Sequence, residues 1–207
     1  MYQRTSTTDW YAATDQLSAE LHHHDEGTGE HCVRVARLAR LLGERLDLDS
    51  EAIRRLEMAS LLHDIGKLHI PAETLLKPGA LDEAEWVEMR QHPRHGFEML
   101  QDTVELEPLA EIVHSHHERY DGSGYPRGLR SEEISLEARI CAVVDAYEAM
   151  TSRRPYSEPL DHESAKQEVL RCAGTQFDPA VVDAFLEISH DEIIVALSGN
   201  REGALIA

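Results

Sequence analysis

Apolar residues recur along the chain at intervals of three and four, the period of helices buried on one side. Trp10, Ala13, Leu17 and Leu21 set this pattern over residues 9 to 21, and the stretch from Asp25 to Gly29 is expected to break it. A second stripe of Val33, Ala36, Leu38, Leu41 and Leu42 runs over residues 30 to 46, with arginines on the opposite side. Asp49 or Ser50 caps a third helix that carries Ile53, Leu56, Leu61 and Leu62 and stops at Gly66. Asp82-x-x-Glu85 has the form of a capping box for a short helix reaching about His92, and Pro93 suits the first turn of the next, to Leu100. Residues 105 to 117 and 135 to 151 continue the series; the latter is the longest apolar pattern and predicts a central buried helix. Asp178-Pro179 caps a last helix through Leu186, and the tail DEIIVALSGNREGALIA is ambiguous. With β-branched runs scarce, the pattern predicts an all-α helical bundle.

Length and charge narrow the picture. A chain of 207 residues supports one well-buried domain. Its net charge of −19 opposes DNA, RNA and anionic membranes, so an anionic substrate must be drawn by a local positive site. No apolar core of signal-peptide type appears, and no run approaches the ~18 residues that span a bilayer. A soluble cytoplasmic protein is expected. Cys32, Cys141 and Cys172 are isolated within apolar patterns and read as reduced core or near-core thiols.

Thirteen histidines are many for this length, and their placement matters more than their number. Each alone reads as a satisfied core or surface residue. Together they form a set: His31 opens one helix, His63-Asp64 closes the next, His92 precedes a proline, His116-His117 closes another, and Asp145 interrupts the most apolar helix. The pair after MASLL is delivered to a buried position, where unpartnered polar groups cost several kcal/mol; a metal is one partner that removes the cost. Imidazoles and carboxylates without thiolates suit iron, manganese, nickel or zinc in an open site. Seven donors exceed the needs of one ion, so two divalent ions are expected. Such a pair activates water at neutral pH and stabilises an in-line displacement at phosphate, which points to phosphohydrolase chemistry. The run HHHD at 22 to 25 reads as a solvated face, as do Glu132, Glu133 and Glu137.

HDIGK at 63 to 67 and HHERYDGSGYP at 116 to 126 resemble the signatures of the HD-GYP phosphodiesterases, a branch of the HD-domain phosphohydrolases. The resemblance extends over roughly residues 22 to 187, through DEGTGEHCVRVARLA, MRQHPRHGFEML, ARICAVVDAYEAMTSRRPY and GTQFDPAVVDAF. It implies a catalytic domain over residues 22 to 207 behind a helical lead of residues 1 to 21. It also implies metal ligation by His31, His63, Asp64, His92, His116, His117 and Asp145, with Asp64 bridging and catalytic. The implied reaction is hydrolysis of cyclic di-GMP to linear pGpG and on to GMP, with iron or manganese favoured over nickel or zinc. Lys67 and Arg154 match the residues that contact substrate phosphate. Gly122 and Gly124 would let the backbone turn tightly beside the metals, with Pro126 stiffening the turn and Tyr125 walling the substrate pocket.

Gly27 stands where some members carry a glutamate that helps hold a third metal, so two ions are expected; Ser157 replaces a common basic residue after Arg-Pro-Tyr. Hydrolysis of another cyclic dinucleotide or a nucleotide phosphate stays open, as does a non-hydrolysing cyclic di-GMP sensor or adaptor. A homodimer formed through the first helix and diguanylate cyclases are the protein partners this leaves open.

Overall fold

The computed structural model describes residues 7–153 and 158–198; Arg154 and Ser157 lie outside the described residues. Among the described residues eleven α-helices follow one another: α1 Thr7–His24, α2 Glu26–Arg45, α3 Ser50–Leu62, α4 Ala72–Leu75, α5 Glu83–Met89, α6 His92–Gln101, α7 Glu107–Ser115, α8 Leu136–Thr151, α9 His162–Arg171, α10 Pro179–Leu186 and α11 His190–Ser198. A 3-10 turn, Ile65–His69, continues from α3, and no strand forms among the described residues. The all-α expectation therefore holds, and the three cysteines are free thiols, two buried and Cys172 half-buried.

Local chemistry explains the starts of the helices. Asp49 accepts hydrogen bonds from the Glu51 and Ala52 backbone at 2.9 and 2.8 Å, and the Asp82–Glu85 capping box forms as expected. The expected break from Asp25 to Gly29 shrinks to one residue. Asp25 caps α2, accepting from the backbone of Gly27 and Thr28, so both glycines lie inside the helix. Gly29 is required by packing: a β-carbon there would sit 2.6 Å from the Cα of His22 on α1. His22 is thus half-buried, unlike the solvated face expected of the HHHD run, and Glu137 is paired with Arg55 at 3.0 Å.

Three helices escape the sequence pattern: α9, α11 and the one-turn α4. In α9, capped by Asp161, the buried stripe is only Ala165 and Val169, with Lys166 buried beside them and donating to the carbonyls of Leu186 and Ile188. The ambiguous tail supplies α11, held on α2 by Arg45–Glu192 at 2.6 Å and by Arg37 donating to the Leu197 carbonyl.

Packing divides into two apolar cores. Val35, Leu42, Leu56, Val143, Val144, Val181 and Phe185 belong to one; Leu21, Cys32, Met58, Leu62, Leu109 and Val113 belong to the other. Helices α2, α3 and α8 contribute to both. Those helices and the ends of α6 and α7 carry the candidate donors.

Candidate metal centre

Each donor is presented by a local device. The N-cap of α2 fixes where that helix begins and puts His31 in its second turn. His63 caps the C-terminus of α3, and Asp64 follows it before the 3-10 turn. His92 opens α6, followed by Pro93 at the first turn, while His116 is the C-cap of α7 with His117 next. The 3-10 turn meets α6 with almost no space between them. A β-carbon on Gly66 would lie 2.0 Å from the His92 carbonyl oxygen, and one on Gly96 would lie 2.8 Å from Val113. Glycine at both positions lets Asp64 and His92 approach, with their side chains 3.3 Å apart.

The buried imidazoles are oriented through their outer nitrogens. Nδ1 of His63, His92 and His116 donates to the carbonyls of Ser60, Met89 and Val113 at 2.7, 2.7 and 2.6 Å. A carbonyl only accepts, so the proton is on Nδ1 and the Nε2 lone pair of each ring is left for the centre. His31 is anchored by the buried Glu148 carboxylate, which also accepts from Arg34 and Ser152. Glu148 is the residue missed in the sequence. Its signal was its spacing: it follows Asp145 by three positions, on the same helical face.

Two donor triads result. His92, His116 and His117 have ligand atoms within 4.8 Å of one another, as do His31, His63 and Asp64. Asp64 lies between them, one oxygen 3.3 Å from His92 Nε2 and the other 3.5 Å from His63 Nε2. Asp145 joins the second triad, 3.0 Å from His31 Nε2 and 3.9 Å from His63 Nε2. All seven expected donors thus meet at one place.

These residues fit a metal pair. The lone pairs of His92 and His116 Nε2 face each other at 3.2 Å, a repulsive arrangement unless a cation lies between them. Two nitrogens each about 2.1 Å from a shared ion adopt such a spacing. Burial lowers the pKa of His92 to about 3 and of His117 to about 4, leaving both neutral as ligands must be. Burial also opposes a charge on His31, but Asp145 and Glu148 outweigh it and raise its pKa to about 9. Burial would raise Asp64 too; Lys67 and the surrounding imidazoles instead hold it well below the usual carboxylate range. Lys67 Nζ lies 2.6 Å from Asp64 with a fifth of its side chain exposed.

The HHERYDGSGYP loop folds against this centre. Gly122 turns at φ +82°, as the tight turn requires, but Gly124 has a different reason: its β-carbon would lie 2.3 Å from the Arg119 nitrogen. The close approach brings the Tyr125 ring over His117, centroids 4.9 Å apart. Buried Glu118 pins the outgoing strand of the loop by accepting from the Arg127 and Leu129 backbone at 2.8 and 3.1 Å. In front of the donors lies a cleft of about 600 Å³, lined by His31, Asp64, Lys67, Lys77, His117, Asp145 and Arg153 among others.

Comparison with known proteins agrees with this geometry. A family model described as HD domain matches residues 15–181. The chain is 44% identical over 173 residues to the cyclic di-GMP phosphodiesterase response regulator RpfG of Xanthomonas campestris pv. campestris, covering 83% of this chain and 46% of that protein. It is 36% identical over 162 residues to 3'3'-cGAMP-specific phosphodiesterase 2 of Vibrio cholerae, covering 77% and 31%. The chain spans half or less of the length of these curated relatives. Its fold is similar to that of an HDG"Y"P protein, Bd1817, from Bdellovibrio bacteriovorus, with a TM-score of 0.62 at 20% identity, over 75% of this chain and 50% of that one. With the HD model matched across most of its length and both the HDIGK and GSGYP signatures present, the chain belongs to the HD domain family, in its HD-GYP branch.

Proposed function

We propose that this chain is a metal-dependent phosphodiesterase domain that opens cyclic di-GMP to linear pGpG. The observation that carries the reading is the pair of donor triads meeting at Asp64 on the floor of an open cleft. The cleft's volume lies within the ~300–1,000 Å³ of small-molecule sites. His31, His63, Asp64, His92, His116, His117 and Asp145 would hold two divalent ions, with iron or manganese suited to these nitrogen and oxygen donors. Bound there, the ions supply Lewis acidity and lower the pKa of water.

The protein's own groups bind and orient. Lys67 turns its ammonium toward the substrate phosphate from the Asp64 side, and Lys77 and Arg153 add positive charge along the cleft. In a protein of net charge −19 these cations draw the dianion to one place. The outer-nitrogen bonds of His63, His92 and His116 prevent ring rotation, so the site is preorganised. Tyr125, with its hydroxyl kept protonated by burial, packs its ring against His117 and holds that imidazole from the side of the GSGYP loop. No described helix is long and apolar enough to cross a membrane, consistent with work on a cytoplasmic nucleotide.

Manganese- or iron-loaded protein incubated with cyclic di-GMP should yield pGpG by chromatography. Intact substrate that nonetheless binds would sink the enzyme reading in favour of a sensor. The relative named for 3'3'-cGAMP motivates a second substrate in the same assay; faster turnover of 3'3'-cGAMP would reassign the specificity while keeping the chemistry.

A further inference from the structure

A second lobe of about 380 Å³ lies against Tyr125, and His117 and Asp145 line both lobes. The donor centre is therefore a saddle with space on either side. A cyclic dinucleotide reacting at the saddle has two nucleoside halves to place, one on each side.

The second lobe holds two arginines in different states. Arg119 is spent on the fold, donating to Gln176 Oε1 and Ser123 Oγ, each at 2.9 Å. Arg90, the C-cap of α5, has no oxygen acceptor among the described residues. Its guanidinium lies over two aromatic rings, 5.6 Å from the Tyr125 centroid and 5.9 Å from that of Trp86. A cation–π contact uses none of the N–H donors of a guanidinium, so those of Arg90 stay available to a ligand. Trp86 is 46% exposed, so the side of Arg90 that faces it is open to solvent.

We infer that Arg90 is a specificity-determining residue that reads the guanine of one nucleoside half by pairing its open edge with O6 and N7. The inference rests on the proposed cyclic di-GMP reading for its substrate, but its chemistry is narrower. Guanine offers two acceptors on that edge, matched by two parallel guanidinium donors; adenine presents an N6 donor where guanine has O6 and repels one of them. The position suits a base more than a phosphate. Lys67 and Asp64 line the first lobe and not the second, where Arg90 is placed.

Calorimetric titration of metal-loaded wild type, Arg90→Ala and Arg90→Lys with GMP and with AMP tests this without requiring turnover. Wild type should prefer GMP by about tenfold, and Arg90→Ala should reduce the preference to less than about twofold by weakening GMP alone. Arg90→Lys should restore little, because an ammonium cannot make the paired contact. Preserved preference in Arg90→Ala, or equal loss of GMP and AMP affinity in both variants, would overturn the assignment and leave Arg90 a loop-positioning or general cationic group. Cyclic di-GMP hydrolysis by wild type, measured separately, decides the underlying enzyme reading.

Discussion

His92, His116 and His117 form a triad that burial keeps neutral, with the lone pairs of His92 and His116 facing each other at 3.2 Å. His31, His63 and Asp64 form a triad whose members are already engaged. His31 is held between the carboxylates of Asp145 and Glu148, which raise its pKa to about 9, and Asp64 is ion-paired with Lys67. Both are buried apart from the half-buried His117, and both have the reach of a metal site. The difference lies in what an ion must displace: only repulsion in the first triad, a proton and part of an ion pair in the second. Burial alone therefore does not define a metal site; the charge state that burial leaves behind decides how readily it fills.

Asp64→Ala should have the largest effect, because it removes the donor the two triads share. Bound metal should fall from about two ions per chain to at most one, and hydrolysis by more than about a hundredfold, measured by elemental analysis and product chromatography. Glu148→Gln separates the triads. It should weaken metal affinity at the His31 triad by about 10–100-fold and leave the three-imidazole triad unchanged in a two-phase titration.

Acidity provides a third distinction. His31 has a raised pKa of about 9, so below that pH an ion must displace its proton, and affinity at this triad should rise about tenfold per pH unit toward pH 9. His92 and His117, lowered to about 3 and about 4, are deprotonated well below neutrality, so the other triad should bind equally from about pH 6 to 8. Calorimetry in buffers of different ionisation enthalpy reads the released proton directly; release at both triads, or at neither, would erase the contrast. The smallest effect on the contrast between the triads is expected from Gly66→Ala, which acts on the fold. The added methyl group would meet the His92 and Gly96 backbone, so a main-chain shift is required and stability should fall by at least about 3 kcal/mol in denaturant titration. Metal loss should then begin at the triad containing His92.

How much of this was legible in the sequence follows from the range over which each feature acts. Capping residues act within one turn, so Asp49 and the Asp82–Glu85 box could be read directly. Metal-capable residues at helix ends were visible for the same reason, since the end of an apolar stripe locates them. Contacts between distant segments left no local trace: Gly66 against His92 and Gly96, Gly29 against His22, and Arg90 between Trp86 and Tyr125. Glu148 looked like one more helical surface acid, because only the folded chain sets it against His31, 117 positions away. Helix α9 was missed for a chemical reason: Lys166 sits on its buried face, its charge satisfied by carbonyls beyond the helix.

On the proposed reading, two ions held on either side of Asp64 would make this chain a cyclic-dinucleotide phosphodiesterase. Anaerobic reconstitution with iron or manganese, with metal content and cyclic di-GMP products measured on the same sample, tests it most directly. About two ions per chain and accumulation of pGpG are expected. A fully loaded protein that binds cyclic di-GMP and returns it intact would contradict the claim.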